Sequence, residues 1–591
     1  MTTLNPVKKP AVWRSDAAGG PARYFPFLKW LLHYQRQDLV GDLLAGLIVT
    51  IMLVPQAMAY ALLAGLPPEV GLYASIVPLI IYGLLGTSRT LAVGPVAIVS
   101  LLVATGVAPL AEQGSALYIQ LALTLALLVG LIQFLMGVVK LGFLVNFLSH
   151  PVLAGFTSAA AIVIGFSQLK HLLGISMPRS ENFIEQVLAA VEHAPETNGI
   201  TMAIGLASIA ILFYFKNGLG RLLRRAGLAE SLVVPLTKTG PLVVVLLGTL
   251  AVLLLGLDKT AGVKIVGDVP AGLPPLSLPS ISPGIWLALL PAALTISFVG
   301  FMESISVAKS LASKRRQKIE SNQELIALGV ANLGATFTGG YPVTGGFSRS
   351  VVNFAAGANT GLASIITALL ILLTVIFLTP LFFFLPQTVL AAIILVAVAG
   401  LIDVKTFKHV WKYNRADAVS LLATFGAVLL VGVETGILVG VAAAILLFIW
   451  RTSRPHMAVV GRIGQTETYR NVLRHPVQTC PHVIAVRVDQ SLYFANTKYL
   501  EDSILQMVAD RPEVKHVVLI GIAVNFIDAS ALETLESLIH ELRDAGVDFY
   551  LADIKGPVMD RLKTIGFVEA VGTDHFFLST HEAMVALNCT N

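Results

Sequence analysis

Apolar stretches of about 20 residues, each enough to cross a hydrocarbon core of about 30 Å as a helix, recur from Leu43 to Trp450 with charge confined to their connections. Inside a bilayer only helices or closed barrels satisfy the backbone, so this pattern reads as a polytopic helical membrane protein. The proportions agree: 55% apolar and 13% charged residues, with mean hydropathy +0.80, exclude a mostly soluble chain of 591 residues. No cleavable signal peptide is expected, because residues 1–37 lack an apolar core and the stretch from Leu43 is too long.

With Pro, Gly and charge as punctuation, long spans fall near 43–63, 68–86, 115–139, 150–174, 200–215, 233–257, 284–311, 321–338, 360–379, 381–403, 416–432 and 435–450. Segments 91–104 and 345–354 are too short or too polar to cross alone. Each follows a break, Gly94-Pro95 in the first and Tyr341-Pro342 with Gly345-Gly346 in the second. They read as half-helices entered from extended backbone, which is tolerated only where protein or a cavity surrounds it. Counting both gives fourteen segments.

Basic residues test that count. Arg89, Lys140 and the connections 216–225, 309–318, 405–415 and 451–454 alternate with connections poor in bases, those of Glu112, Glu434 and the acidic stretch 181–196; Lys259 and Lys264 are the main exceptions. By the positive-inside rule both termini are expected in the cytoplasm of a plasma (inner) membrane protein. Pro151-Val-Leu-Ala-Gly opening the fifth segment echoes Pro386-Gln-Thr-Val-Leu-Ala-Ala opening the twelfth, and the half-helices are third and tenth. An odd offset between repeats implies 7+7 inverted repeats, with a substrate site at their interface.

The chain changes character near Met457. Beyond it stand 17 Asp and Glu against 11 Lys and Arg, leaving 18 against 29 before it, so the net charge of +5 hides a basic membrane part and an acidic tail. Basicity of this kind reflects loop bias and gives no ground for nucleic acid binding. In the tail, β-rich runs at 483–488, 517–522 and 547–554 alternate with helical patterns at 497–509, 530–545 and 556–565, which predicts a small α/β domain. The division is thus an N-terminal segment 1–37, a transmembrane domain 38–456 and a cytoplasmic domain 457–591. Neither a GxxxxGK[ST] nor a GxGxxG pattern follows a tail strand, so ATP-driven transport has no support. Cys480 and Cys589 are expected as reduced thiols in a reducing compartment.

Two half-helices from inverted halves would bring their N-termini together near the midplane, where uncapped N–H groups and positive dipole ends favour an anion; a merely structural Pro/Gly break is the other reading of these positions. Gly345-Gly346-Phe347-Ser348-Arg349-Ser350 adds glycines for close approach, a hydroxyl at Ser348 and a charge at Arg349; Gly94-Pro95-Val96-Ala97 keeps its donors accessible. Arg349 has the alternative of pairing with a carboxylate. Glu303 is the one acid in the body of the eighth segment; it suits proton or sodium coupling, or else a structural pair with Arg349. Gln56 and Tyr60 share one helix face and reach the same cavity or serve packing. His150, His171 and His193 sit at segment ends without ligand-like spacing, so no metal site or cofactor is expected, and no nucleophile elbow or triad suggests an enzyme.

Gln56-Ala-Met-Ala-Tyr60, Gly86-Thr-Ser-Arg89 with Val93-Gly-Pro95, Glu303 in its segment, and Phe347-Ser-Arg-Ser350 followed by Asn353 together resemble the sulfate permease family of anion transporters, and the tail resembles that family's STAS domain. The resemblance covers the chain from about Phe25 to Val585. It implies a homodimer in which a core domain carrying the substrate moves as an elevator against a gate domain. It also implies an anion pocket of Gln56, Tyr60, Val96, Ala97, Phe347, Ser348 and Arg349, with Glu303 as the proton-coupling acid. Where STAS regulators place a phosphorylatable Ser or Thr after an Asp, this chain reads Asp528-Ala529-Ser530-Ala531, with Ser530 only a displaced substitute. The expected function is secondary transport of a small oxyanion, sulfate with proton symport first. Sodium-coupled bicarbonate, proton-coupled C4-dicarboxylate, exchange and a channel are the alternatives, and a membrane-anchored signalling scaffold whose tail binds a cytoplasmic protein is the reading from another class.

Overall fold

The computed structural model describes residues 25–143, 149–177, 183–228, 233 and 236–589. Residues 1–24 of the expected N-terminal segment, and Glu181 of the acidic connection, lie outside the described residues. The chain forms two compact units, Met1–Ala444 and Ile445–Asn591.

The first unit is built from α1 (Arg36–Leu63), α2 (Val77–Leu85, after a short helix Pro68–Tyr73), α3 (Ala97–Val107), α4 (Ala116–Val138), α5 (His150–Ser167), α6 (Gly199–Tyr214) and α7 (Gly240–Leu255). It continues with α8 (Pro283–Lys314), α9 (Ser321–Phe337), α10 (Phe347–Ala355), α11 (Leu362–Phe377), α12 (Gln387–Val398), α13 (Val404–Tyr413) and α14 (Arg415–Leu430); α15 (Val433–Thr452) leads out of it. Eight helical stretches among the described residues, some joining successive helices, are long and apolar enough to cross a membrane, and α3, α7 and α11 are shorter apolar helices. Local chemistry sets the boundaries. Ser115, Ser149 and Asn198 accept N-capping bonds from Tyr118, Val152 and Thr201, and Gly256 ends α7 with φ +60°.

α1 starts at Arg36, ahead of the apolar stretch, and takes Asp42 into the fully buried interior. The carboxylate is satisfied there: it accepts from the Asn359 and Thr360 N–H groups at 2.7 and 3.1 Å and from the Thr360 hydroxyl at 2.6 Å. Glu324 plays the same part in α9, accepting from the Tyr82 and Thr87 hydroxyls and the Thr87 and Ser88 N–H groups at 2.6–3.1 Å. Two buried acids therefore clamp the connections that leave α2 and α10.

Packing partners obey the repeat. α1 meets α3, α10 and α11, and its counterpart α8 meets α10, α3 and α4; α9 on α4 mirrors α2 on α11. These helices make one bundle. A second forms where α5 packs on α14, α6 on α12, and α7 on both α6 and α12. The bundles touch where α1 meets α7 and α12 and where α3 meets α5.

The second unit carries a sheet of order β4-β3-β5-β6-β7-β8, with β3 Met457–Arg462, β4 Tyr469–Asn471, β5 Val483–Val488, β6 His516–Ile520, β7 Asp548–Ala552 and β8 Phe576–Phe577. β5 to β8 are parallel; β3 is antiparallel to both neighbours. Helices α16 (Thr497–Ala509), α17 (Ala529–Asp544), α18 (Gly556–Thr564) and α19 (Thr580–Ala586) complete it. Burial of Val486, Val517, Leu519, Leu535, Leu538 and Phe549 makes the core beneath α17. Cys480 and Cys589 form a disulfide with Cα atoms 5.6 Å apart, which corrects the expectation of two reduced thiols. α19 folds back against β6, β7 and β8 and so returns Cys589 to Cys480, a closure that sequence spacing does not reveal.

Candidate functional site

Val93–Gly94 (β1) and Thr344–Gly345 (β2) pair antiparallel, Val93 opposite Gly345 and Gly94 opposite Thr344. Each two-residue strand runs directly into a half-helix, β1 into α3 and β2 into α10. The junction is tied on every side. Gly346 N–H donates to Ala92 C=O at 3.0 Å, and Ala92 N–H to the Ser350 hydroxyl at 2.9 Å. Asn332 of α9 holds Val343 through both backbone groups, accepting its N–H at 2.8 Å and donating to its C=O at 3.1 Å. Ser304, next to Glu303, accepts Gly345 N–H at 2.8 Å. Gly94 needs its glycine, since its φ of +146° is disfavoured for an L side chain.

Neither half-helix has a side-chain N-cap: the capping positions are Val96 and Gly346, and the first helical bonds run from Ser100 to Val96 and from Ser350 to Gly346. The first-turn N–H groups of both helices are thus left for another partner. Their positive dipole ends face one cavity of about 350 Å³. Gln56, Tyr60, Val96, Ala97, Glu303, Phe347, Ser348 and Arg349 all line it.

Arg349 is 2% exposed. Its Nη1 donates to Pro95 C=O at 2.6 Å, bridging the two repeats, while Nε and Nη2 have no hydrogen-bond partner. Among the described residues it makes no ion pair with Glu303, so the pairing alternative is not what the fold adopts. The Glu303 Oε2 is likewise buried and unpartnered. Buried donors without acceptors cost about 1–3 kcal/mol each, more when charged, so Nε and Nη2 stand as donors open to an acceptor. Gly346 makes room for the guanidinium: a Cβ there would lie 2.9 Å from Nη2.

Sequence reasoning did not single out Lys216 and Lys238, which also line the cavity. Lys216 sits in a π-helical turn, Phe215–Leu219, where the extra residue re-aims side chains. It also missed Ser304 and Asn332, whose polar atoms fix the junction, and the part that Ser350 of the quoted motif plays beside them; the signal available was an amide or hydroxyl within an apolar span. Glu303 also borders a second cavity, of about 570 Å³, that reaches His150 and Asp403. In the second unit Asp528 is the N-cap of α17, accepting from Ala531 N–H at 2.8 Å and from Phe494 N–H at 2.9 Å, and Ser530 is exposed in the first turn.

Inverted repeats that meet head to head around a cationic, uncapped cavity define a membrane transporter of small anions, not an enzyme. The chain belongs to the sulfate permease family, whose pattern matches residues 39–424, and carries a STAS domain matched over residues 475–583. It is 38% identical over 572 residues to probable sulfate transporter 4.2 of Arabidopsis thaliana, covering 95% of this chain and 83% of that one. Identity to high affinity sulfate transporter 2 of Stylosanthes hamata is 34%, over 95% of this chain and 86% of the relative. The fold matches that of the murine Solute Carrier 26 family member A9 anion transporter in the inward-facing state with TM-score 0.88 and 26% identity, covering 98% of this chain and 96% of that chain.

Proposed function

We propose that this protein is a secondary active carrier of a small oxyanion, sulfate first, that couples uptake to protons through Glu303. The observation that carries the reading is the Arg349 guanidinium, buried with two unpartnered nitrogens between two uncapped helix N-termini. A tetrahedral dianion offers four acceptor oxygens to such donors and gains charge-assisted bonds from the guanidinium. Gln56 and Tyr60 supply neutral donors from α1, Ser348 a hydroxyl, and Val96, Ala97 and Phe347 the walls. Lys216 and Lys238 draw the anion along the cavity toward Arg349. Glu303, in the same cavity and free of a permanent ion pair, is available to take up a proton when the anion binds; sodium is the alternative coupling ion.

Motion follows from the two bundles. The half-helices belong to the bundle of α1–α4 and α8–α11, so the site travels with it past the scaffold of α5–α7, α12 and α14, in the manner of an elevator. A third cavity, of about 310 Å³, is lined by residues of α1, α3 and α5 with Gln113 and His171, which suits the opposite opening of the same site. The remaining assignments are a homodimer, cytoplasmic termini, domain limits at 38–456 and 457–591, and a regulatory protein partner for the tail near Asp528 and Ser530.

Uptake of labelled sulfate, bicarbonate, fumarate and succinate into proteoliposomes, each with and without a proton or sodium gradient, tests substrate and coupling together. Sulfate accumulation only with an inward proton gradient is expected. Flux that never exceeds equilibrium would replace the carrier with a channel, and sodium dependence would reassign the coupling ion.

A further inference from the structure

α13 (Val404–Tyr413, VKTFKHVWKY) lies between α12 and α14 of the scaffold bundle and has two separate faces. At about 100° per residue, Lys405, Lys408 and Lys412 fall within an arc of about 60°, and Val404, Phe407 and Trp411 within another of the same width. The helix is held firmly. Asp403 caps it, accepting from Thr406 N–H at 2.9 Å, and donates its own N–H to the Ser158 hydroxyl of α5 at 3.1 Å; Asn414 caps the α14 that follows.

The apolar face is only partly covered within the chain, Phe407 being 37% exposed. Val404 and Trp411 are 55% and 54% exposed, and the Phe407 and Trp411 rings stack at 6.3 Å. The charge is not used: among the described residues no carboxylate pairs with Lys405, Lys408 or Lys412. Between the two faces and Leu422 of α14 opens a cavity of about 640 Å³, lined by Phe407, Lys408, His409, Trp411, Lys412 and Leu422. Its lining thus joins apolar side chains, one of them on the membrane helix α14, with two lysines.

We propose that this cavity is a binding site for an anionic phospholipid of the adjoining leaflet, with the headgroup phosphate held by Lys408 and Lys412 and an acyl chain laid over Phe407, Trp411 and Leu422. The partner is identified by charge and by place. A helix with this segregation lies in the interface, apolar side toward the acyl boundary, and each lysine near an anionic surface contributes about 1 kcal/mol, a factor of about five in affinity. Because α13 is tied to α5 and α14 and not to the half-helices, the lipid would anchor the scaffold bundle. The anion cavity around Arg349 is not involved.

The test uses the full chain in phosphatidylcholine vesicles doped with phosphatidylglycerol or phosphatidylcholine brominated on the acyl chains, reading the tryptophan quenching that is lost in W411F. Brominated phosphatidylglycerol should quench Trp411 at a mole fraction about 25-fold lower than brominated phosphatidylcholine. K408Q/K412Q should remove most of that preference, about fivefold per lysine, K408R/K412R should keep it, and added salt should weaken it. Equal quenching by the two lipids, no quenching of Trp411 by either, or a preference unchanged in K408Q/K412Q would each overturn the proposal.

Discussion

Arg349 sits where loss of one side chain and loss of the whole site give different results. Arg349→Ala removes the charge but leaves the N–H groups and dipoles of α3 and α10, so sulfate affinity should fall by about 1.5–3 kcal/mol, about ten- to a hundredfold, by isothermal titration. Because Arg349 and Glu303 do not pair, adding Glu303→Gln should leave that loss unrepaired; recovery of affinity in the double variant would mean that the two residues compensate each other after all. Glu303→Gln alone should bind sulfate yet lose accumulation driven by a proton gradient, measured in proteoliposomes. Gly346→Ala should weaken binding without unfolding the chain, since its Cβ would meet side-chain atoms alone, the Arg349 guanidinium at 2.9 Å and Val96 Cγ1 at 3.3 Å; unchanged affinity would show that the placement of Nη2 is not needed. The charged and glycine positions of this site are visible in the sequence because charge and Gly-Gly are rare within apolar spans. Lys216 and Lys238 are not, because a lysine at a segment end looks like any loop base until a π-helical turn and a cavity place it.

At the level of elements, α10 depends on a latch at its other end. Arg315, at the end of α8, donates to the carbonyls of Ala358 and Phe354 at 2.5 and 3.2 Å and lies 4.4 Å from the Phe354 ring centroid, so a cation closes the C-terminus of the half-helix. Arg315→Gln should lower stability by about 1–2 kcal/mol and slow transport. Arg315→Lys should recover only part, since the forked donor geometry is lost; full activity in Arg315→Gln by uptake assay would dismiss the latch. Segment positions follow closely from hydropathy, because a bilayer-length apolar run bounded by Pro, Gly and charge has few alternatives. What hydropathy hides is a polar residue taken inside: Asp42 stands just ahead of the 43–63 span and Glu324 near the start of the 321–338 span, yet each is fully buried against backbone N–H groups of a distant turn. In the tail, β5, β6 and β7 are legible as apolar runs. β4 (Tyr-Arg-Asn) and the two-residue β8 are not, since edge strands so short carry no period.

For the molecule as a whole, the two units make separable predictions. Truncation after Arg454 should leave sulfate binding measurable in detergent, since every residue lining the Arg349 cavity precedes it, while transport or assembly declines. Loss of binding in a truncated chain that still inserts would tie the site to the tail. Thiol titration of the denatured full-length protein should find no free cysteine before reduction and two after it. Two thiols before reduction would show that the tail folds without this bond.

The pairing of β1 with β2 has a further meaning. Two residues of strand cannot persist by themselves, so each repeat carries an edge that only the other repeat can complete, and with it only half of the donors that an anion would meet. Neither half of this chain is a smaller carrier. The seam makes the pocket a property of the duplication itself: substitutions on opposite sides of it, some 250 residues apart in sequence, act on one object, and any motion that translocates an anion must carry both half-helices as one rigid pair.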